Sequence, residues 1–322
     1  MRALQVTQAI GADGVCIVDV PDIDSPDGVL IDVRAVGVSF PDLLRSQGLY
    51  QERAALPYTL GGEAAGVVVH APPVSGLRPG DRVAGSSVGA AAERAVLDPD
   101  AVLQLPSDMS FEQGAALPLN YRTAILGLEV RGRMRSGETV LIHGAAGGTG
   151  TAAIQVARAR DCRTIAIVSS ENKERIARQA GADVVLRSDG PWKDDALRLT
   201  DGRGVDLVWD PVGGDRVLDT MRALTLGGRW VVVGFTGGDI PKVALNRVLL
   251  RNIDVVGTYI GGYLAHADEA PRRWLMDRLA ELLATGRVQP VVGSVHAFER
   301  GADALREIAD RRAVGKVVIS LT

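Results

Sequence analysis

Runs of apolar and β-branched residues alternate with amphipathic stretches through the middle of the chain, from Thr139 to about Thr258. The apolar runs have the length of buried strands, and the stretches between them have helical apolar spacing. This alternation predicts a doubly wound parallel sheet with helical crossovers. The first strand begins at Thr139, and the later strands are 164–168, 184–186, 205–209, 230–233 and 253–256. The predicted helices are 173–180, 193–199, 216–224 and 245–250.

The N-terminal part has a different pattern, because its short strand-like runs are separated by Pro, Gly and Asp turns. Such a pattern is typical of an antiparallel β domain. The predicted strands are 15–20, 29–38, 64–70, 82–84 and 92–97. After the parallel sheet come a helix over 269–285, a strand over 291–296, a helix over 300–312 and a strand over 316–321. We expect these last two strands to join the N-terminal domain.

Composition favours a compact α/β enzyme, since 46% of the 322 residues are apolar and 38 are glycine. The net charge of −3 comes from interspersed acids and bases, so neither a nucleic-acid stripe nor a membrane patch is expected. The sequence shows no basic segment followed by an apolar segment of the kind found in signal peptides, and no apolar run long enough to span a bilayer. This pattern predicts a cytosolic protein. Cys16 and Cys162 are far apart in sequence and give no disulfide framework.

A glycine turn follows the first strand of the parallel sheet and leads into a helical pattern. Gly144, Gly147 and Gly150 carry no side chains that would keep a pyrophosphate from the backbone at the helix N-terminus. The order strand, glycine turn, helix predicts a dinucleotide site.

The end of the second strand of this sheet decides which dinucleotide is expected. An acidic residue there binds the ribose hydroxyls of NAD, but this strand ends at Ser169 and Ser170, and Glu171 follows. Lys173 is placed to meet a 2′-phosphate, and one charge-assisted hydrogen bond is worth about 1.5–3 kcal/mol. The pattern therefore favours NADP. The alternative is a solvated lysine beside a serine that only caps the helix.

Several ordered motifs resemble the zinc-independent quinone oxidoreductase branch of the medium-chain dehydrogenase/reductase superfamily. Besides the glycine turn, they are Val36–Asp42 with Gly48–Tyr50, Leu60–Val67, Pro79–Val83, Ala116–Thr123, Asp210–Asp215 and Gly234–Gly238. The resemblance extends through nearly the whole chain. It implies a GroES-like domain from residues 1–122 and 268–322, a Rossmann NADP(H)-binding domain over 123–267, and a cleft between them that holds NADPH.

Zinc relatives in this superfamily have a cysteine where Ser39 stands, a histidine where Gly62 stands, and a further four-cysteine lobe. This chain lacks all of them, and its four histidines show no ligand spacing. We therefore expect no metal site. His143, just before the glycine turn, is interpreted as a packed residue rather than a catalytic one.

The motifs and the resemblance together give a set of predicted site residues. The predicted cofactor contacts are Ser39, Asn120, Thr123, Gly144, Ala146, Gly147, Gly148, Thr149, Gly150, Ser169, Ser170, Lys173, Phe235, Thr236, Gly237, Thr258, Tyr259, Ile260 and Arg312. The predicted substrate pocket comprises Phe40, Tyr50, Tyr121 and Tyr259, and the candidate catalytic donors are Tyr50 and Tyr121. We interpret Asp42, Glu63 and the carboxylates of Asp210–Asp215 as structural groups.

The resemblance implies hydride transfer from NADPH to a quinone. One alternative is NADPH-dependent reduction of an enone or acryloyl-type alkene. Reduction of an enoyl thioester benefits more than quinone reduction from an acid side chain placed to donate a proton. An alternative of another class is an NADPH-binding structural or regulatory protein with little turnover. The resemblance also implies a homodimer formed through the edge strand Ile253–Thr258, which would otherwise be an exposed apolar edge.

Overall fold

The computed structural model describes residues 1–25 and 27–321. The chain folds into two compact units. The terminal unit comprises residues 1–119 and 290–322, and the central unit comprises residues 120–289. None of the helices in the described ranges combines the length and apolar character needed to cross a bilayer.

The terminal unit is built mainly of β-structure. Its strands are β1 (Arg2–Val6), β2 (Val15–Asp19), β3 (Val29–Val38), β4 (Tyr58–Thr59), β5 (Glu63–His70), β6 (Arg82–Ser87), β7 (Arg94–Gln104), β14 (Val292–Ala297) and β15 (Lys316–Ser320). Its helices are α1 (Phe40–Ser46), α2 (Phe111–Gly114) and α11 (Gly301–Ala309), and α3 (Pro118–Ile125) begins at its boundary.

The larger sheet of the terminal unit has the order β14-β15-β3-β5-β6-β7, and β3 pairs with β7 as well, so the sheet curls back on itself. A smaller sheet has the order β2-β1-β4. The strand pairs are antiparallel apart from β14 and β15, which are parallel. β15 pairs with β3, and so the C-terminal strands join the N-terminal ones as expected.

The central unit contains the parallel sheet. Its strands are β8 (Thr139–Ile142), β9 (Arg163–Val168), β10 (Val184–Arg187), β11 (Val205–Asp210), β12 (Leu224–Val232) and β13 (Asp254–Gly257). Its remaining helices are α4 (Gly148–Ala159), α5 (Glu171–Gln179), α6 (Trp192–Arg198), α7 (Val217–Ala223), α8 (Leu245–Arg251), α9 (Ile260–His266) and α10 (Glu269–Ala284). A π-helical turn, Leu126–Arg131, follows α3.

The strand order is β10-β9-β8-β11-β12-β13, and all of its neighbours run parallel. With β8 counted as the first strand, this is the 3-2-1-4-5-6 order of a dinucleotide-binding Rossmann sheet. The predicted fold class, a Rossmann sheet plus a β domain from both chain ends, is confirmed. Central strands β8 and β11 are almost entirely buried, as expected where helices cover both faces.

The unit boundaries differ from those expected from the sequence. Helix α10 belongs to the central unit, whereas residues 268–289 were expected to join the chain ends. Leu275 and Leu279 of α10 are fully buried, and Arg278 forms an ion pair with Glu129 of the π-helical turn at 3.0 Å. These contacts attach α10 to the central unit.

Candidate functional site

The glycine turn lies between β8 and α4 in a conformation that requires glycine. Gly144 has a φ of +59°, in the left-handed region that side chains disfavour. A Cβ on Gly150 would lie 2.2 Å from the Gly144 carbonyl oxygen and 2.7 Å from Ala145 Cα. The backbone of the turn and the first turn of α4 therefore approach too closely for any other residue.

The N-terminus of α4 has the properties of an anion site. Gly147 is its N-cap, and no side chain among the described residues caps the helix there. The 12-residue helix has no acidic residue in its first turn, so its first N–H groups and its positive dipole end are available to an anion. Asn120 packs against this turn, since a Cβ on Gly148 would lie 2.6 Å from Asn120 Nδ2. These features fit a dinucleotide pyrophosphate.

Two cationic side chains lie at the carboxyl end of β9. Lys173 Nζ donates to Ser169 Oγ at 3.4 Å, and Ser170 Oγ accepts from the Lys173 N–H, which caps α5. Arg187, at the end of the neighbouring strand β10, donates from Nη2 to the Ser169 carbonyl at 3.2 Å. Its Nε is buried and finds no hydrogen-bond partner in the described chain. Sequence reasoning missed Arg187, although parallel pairing of adjacent strands brings their carboxyl ends together.

The loops after β12 and β13 hold the residues predicted to contact the nicotinamide. Thr236 donates from both N and Oγ1 to the Pro211 carbonyl at 3.0 Å, and Gly237 N donates to the Val212 carbonyl at 2.9 Å. Thr258 follows β13 and is buried, and its Oγ1 has no hydrogen-bond partner within the described residues. A buried hydroxyl without a partner is costly, and this one fits a polar group of a bound ligand.

The remaining predicted contacts of the central unit lie in the glycine turn, in helix α3 and in the loops after β12 and β13. Ala146 and Thr149 belong to the glycine turn and the first turn of α4. Thr123 is buried in α3, and Phe235 lies in the loop beside Thr236. Tyr259 is the N-cap of α9, which begins at Ile260, and its side chain is 38% exposed.

Asp210 accepts hydrogen bonds from the protein backbone, which agrees with its interpretation from the sequence as a structural group. Its Oδ1 accepts from the N–H groups of Val212 and Gly213 at 2.9 Å, and its Oδ2 accepts from Trp230 Nε1 at 3.1 Å. His143 is also a packed residue. It is fully buried with Nε2 3.0 Å from Thr220 Oγ1, and burial lowers its pKa to about 4.

Tyr121 is not placed to donate to a substrate, which corrects one of the two candidate donors. Its hydroxyl is buried and donates to Gln155 Oε1 at 2.7 Å, and Gln155 is in turn bound to both backbone groups of Gln289. Burial also raises the pKa of Tyr121 well above its usual value. No sequence pattern indicated this partner, which is 34 positions away.

Tyr50, the other candidate donor, belongs to the terminal unit. It is half-buried, and the Arg45 guanidinium lies 4.8 Å from its ring centroid. Phe40 is also half-buried and packs against the hydrophobic core of that unit. Arg312 is an exposed residue after α11 and forms an ion pair with Asp310 at 2.9 Å.

A buried polar cluster in the terminal unit was not foreseen. We call Ser39, Asp42, Glu63 and Lys316 the Lys316 cluster. Lys316 Nζ donates to Ser39 Oγ at 2.5 Å and to Glu63 Oε1, while Glu63 Oε2 accepts from the Leu119 N–H at 2.7 Å. The Ser39 N–H donates to Asp42 Oδ2 at 2.8 Å.

Strand register explains how the Lys316 cluster forms. Val38 pairs with Val317, which brings Ser39 opposite Lys316, and Val36 pairs with Ala64, which brings Gly37 opposite Glu63. Opposed residues in antiparallel strands share a face of the sheet. A Cβ on Gly37 would lie 2.7 Å from Lys316 Cε, so glycine there leaves room for the lysine side chain.

The Lys316 cluster is deeply buried except at Ser39. Lys316, Glu63 and Asp42 are 2%, 1% and 5% exposed, whereas Ser39 is half-buried. Burial raises the pKa of Asp42 to about 6, against the lowering effect of the nearby Lys316 ammonium. Within the described chain, no group of three or more His, Cys, Asp or Glu side chains is arranged to hold a metal ion.

Comparisons with known proteins identify the family to which the chain is similar. The family model described as an alcohol dehydrogenase GroES-like domain matches residues 25–107, and the model described as a zinc-binding dehydrogenase matches residues 148–281. The chain is 40% identical over 300 residues to quinone oxidoreductase-like protein 2 of Rattus norvegicus, covering 92% of this chain and 85% of the rat protein.

Two solved structures share the fold over the whole chain. One is a mycobacterial protein in complex with NADPH, with a TM-score of 0.90, 27% identity and coverage of 100% of both chains. The other is the CurK enoyl reductase, with a TM-score of 0.90, 25% identity and coverage of 100% of this chain and 99% of its own.

Proposed function

The chain belongs to the medium-chain dehydrogenase/reductase superfamily, in its quinone oxidoreductase branch, and from that premise we propose that it is an NADPH-dependent reductase that transfers a hydride to a quinone. The observation that carries the proposal is the uncapped N-terminus of α4 behind the glycine turn. A pyrophosphate would be bound there by backbone N–H groups and by the helix dipole. The NADPH in the structurally similar mycobacterial protein supports the same ligand.

NADPH rather than NADH is proposed because of the charges at the end of β9. Lys173 and Arg187 both reach Ser169, and no carboxylate occupies the tip of that strand. Two cations favour the doubly charged 2′-phosphate and leave the two hydroxyls of NADH without an acidic acceptor. Arg312 is proposed as a further cation for this phosphate, as the family resemblance implies.

When bound, NADPH supplies the hydride, and the chain supplies position and polarity. We propose that Thr258 and the loop carrying Phe235 to Gly237 contact the nicotinamide, with Thr258 Oγ1 gaining there the partner it lacks within the described residues. Thr123, Tyr259 and Ile260 complete that contact in the proposal. Phe40, Tyr50 and Tyr259 are proposed as apolar and aromatic surface for the acceptor.

The residues at the equivalent of the zinc position do not suit a metal ion. Ser39 and Gly62 replace the usual cysteine and histidine, and the Lys316 ammonium lies 2.5 Å from Ser39 Oγ. A cation beside the only oxygen donor of that pair would repel a second cation. We therefore propose catalysis without zinc. The cytosolic location stays a prediction.

A second candidate function is reduction of an activated alkene, which the structural similarity to an enoyl reductase favours. An enoyl thioester needs a proton at carbon after hydride transfer, whereas quinone oxygens take protons from water. Because Tyr121 is bound to Gln155, the central unit lacks the donor that the sequence suggested for such an acid. This difference makes the quinone the first choice.

Initial rates of NADPH and NADH oxidation test the proposal. The acceptors are benzoquinone, phenanthrenequinone, an aliphatic enone and an acryloyl thioester. We expect fast NADPH-dependent quinone turnover, slower NADH turnover and sluggish thioester turnover. The reverse order of acceptors would assign the chain to the alkene reductases. NADPH binding without turnover of any acceptor would favour a structural or regulatory protein instead. Protein-free mixtures give the background rate.

We further propose a homodimer formed through β13. This strand is at the outer end of the parallel sheet, so one of its edges has no neighbouring strand in the described chain. Val255 on β13 and Leu245, Leu249 and Leu250 on α8 are exposed apolar side chains. A second copy pairing along β13 would cover this edge and these residues.

A further inference from the structure

Gln155 of α4 binds both ends of the central unit. Its Oε1 accepts from the Tyr121 hydroxyl at 2.7 Å and from the Gln289 N–H at 2.8 Å, and its Nε2 donates to the Gln289 carbonyl at 2.8 Å. Asn120 is the first residue of the central unit and Gln289 is the last. One side chain of α4 therefore fastens the first and last segments of that unit. We call Tyr121, Gln155 and the Gln289 backbone the Gln155 network.

The Gln155 network is well bonded and shielded from water. The amide oxygen of Gln155 accepts two hydrogen bonds, which uses both of its lone pairs, and the amide nitrogen donates a third. Tyr121 and Gln155 are 2% and 8% exposed. Hydrogen bonds in such surroundings are electrostatically stronger than those in water. The network therefore resists displacement of either segment from α4.

The same helix carries the proposed pyrophosphate site. Gly148 begins α4, and a Cβ there would lie 2.6 Å from Asn120 Nδ2, so the Asn120 amide lies directly against the first turn. Asn120 precedes Tyr121 in α3, so the hydroxyl that binds Gln155 also fixes where the Asn120 amide lies. Gln155 is about two turns further along α4. Helix α3 is thus attached to α4 both at the anion site and behind it.

We propose that the Gln155 network is a positioning network of the dinucleotide site, which holds Asn120 against the first turn of α4 and couples occupancy of that turn to the order of Gln289. The ligand class is a dinucleotide pyrophosphate, with or without a 2′-phosphate. This inference rests on the cofactor part of the proposed function. Asn120 contacts the ligand, whereas Tyr121 and Gln155 are positioning residues that act through it.

The coupling follows from the helix that the two sites share. An anion at the N-terminus of α4 satisfies its first N–H groups and makes local opening of the helix less frequent. The Gln289 N–H donates to a side chain of that helix, so it exchanges with solvent only when Gln155 moves away. Binding of a dinucleotide should therefore slow hydrogen exchange at Gln289.

Nucleotide titration of Tyr121→Phe gives the first test. This variant keeps the ring and loses one hydroxyl, and Gln155 keeps its bonds to Gln289. We expect the dissociation constants of NADPH and NADH to rise by the same factor, roughly fivefold, because the pyrophosphate is common to both. Gln289→Ala is the matched control. It should bind as the wild type does, since only the Gln289 backbone contacts Gln155.

Hydrogen–deuterium exchange of the segment 286–293 gives a second readout, which a purely structural bond would not change on ligand addition. Saturating NADP⁺ should slow exchange there severalfold in the wild type and in Gln289→Ala. The effect should disappear in Gln155→Met, whose side chain has similar length and cannot hold both backbone groups of Gln289. Tyr121→Phe still decides the proposal if Gln155→Met does not fold.

Three results would overturn the proposal. They are unchanged affinity for both nucleotides in Tyr121→Phe, a loss for NADPH alone in that variant, and no effect of NADP⁺ on exchange at 286–293 in the wild type. A protein that binds NADPH and shows the expected losses but reduces no acceptor would lose the proposed function and keep this inference. A protein that reduces quinones although Tyr121→Phe binds both nucleotides normally would keep the function and lose the inference.

Discussion

The glycine turn of the central unit and the Lys316 cluster of the terminal unit differ in how the chain builds them. The turn uses consecutive residues between β8 and α4, so its geometry is local. The cluster joins Ser39 and Lys316, which are 277 positions apart, through the pairing of β3 with β15. A local site can be recognised as a motif, whereas a site made by strand register exists only in the folded protein.

The two sites also differ in the kind of charged group that they contain. The N-terminus of α4 offers partial positive charge from backbone N–H groups and needs no buried ionised side chain. The Lys316 cluster instead holds an ammonium and two carboxyl groups at exposures of 5% or less. Its members depend on one another, because a buried charge that loses its partner is costly.

A methyl group on Gly150 should have the largest effect and would break the local site. Gly150→Ala places its Cβ 2.2 Å from the Gly144 carbonyl oxygen, so the turn must move. We expect the NADPH dissociation constant to rise on the order of a hundredfold, since each hydrogen bond lost to the charged pyrophosphate costs about 1.5–3 kcal/mol and more than one N–H group would be displaced. Overpacking should also lower the free energy of unfolding by about 1–3 kcal/mol. Fluorescence titration with NADPH and chemical unfolding measure the two effects.

Gly257→Ala is the matched control for Gly150→Ala, because a Cβ at Gly257 meets no heavy atom within 4 Å. It should leave NADPH affinity nearly unchanged. A Gly150→Ala protein that loses stability but binds NADPH as the wild type does would make the glycine turn a packing feature only.

The pH dependence of the unfolding free energy of Asp42→Asn, compared with that of the wild type, should reveal the buried carboxyl group of the cluster. Burial raises the pKa of Asp42 from 3.8 to about 6, with Lys316, Glu63, Arg45 and the Tyr58 ring of β4 facing it. Because the folded pKa is the higher one, the stability that Asp42 contributes is full below 3.8 and is lost as the pH rises through about 6. The asparagine side chain of the variant cannot ionise and avoids this loss.

The unfolding free energy of Asp42→Asn relative to the wild type should therefore increase by about 2–3 kcal/mol between acidic and neutral pH. Urea unfolding at a series of pH values measures it. Asp108→Asn, at an exposed position of the same unit, is the control and should show no such trend. A flat difference for Asp42→Asn would mean that Asp42 is not desolvated in the folded protein.

Lys173→Ala should have the smallest effect and would sharpen the assignment of the carboxyl end of β9 as the binding site of the 2′-phosphate. Its ammonium lies beside Ser169, and Arg187 lies there too, so part of the charge remains in the variant. We expect a roughly tenfold higher NADPH dissociation constant and nearly unchanged NADH binding. Lys193→Ala at the start of α6 serves as the control. Equal losses for both nucleotides would refute a role at the 2′-phosphate.

Much of the fold follows from the sequence, because its strands have strong local patterns. The β-branched run before Gly144 and the apolar segments of β9, β11 and β12 each predicted a strand that the structure contains. The short strand β4 has only two residues and depends on pairing with β1, so no periodicity marks it. The π-helical turn after α3 likewise has no distinct sequence pattern.

The residues themselves, without the family resemblance, indicate candidate site positions only where those positions are close together along the chain. The glycine turn and the β9 end with Lys173 were identified from consecutive residues. Lys316 was expected only to begin the last strand, and nothing in its local sequence distinguishes it from the solvated lysines that are usual at strand ends. Its burial depends on Gly37 and Glu63, which reach it only through the sheet. Arg187 was missed for the same reason, since its neighbour Ser169 belongs to another strand.

The central claim is that hydride passes from bound NADPH to a quinone on this protein. Stopped-flow mixing of the NADPH-loaded protein with benzoquinone in a single turnover tests it most directly, with NADPH deuterated at the transferred position as comparison. We expect the NADPH absorbance to decay much faster than without protein, and more slowly with the deuterated cofactor. Decay no faster than the protein-free reaction, although NADPH is bound, would contradict the claim.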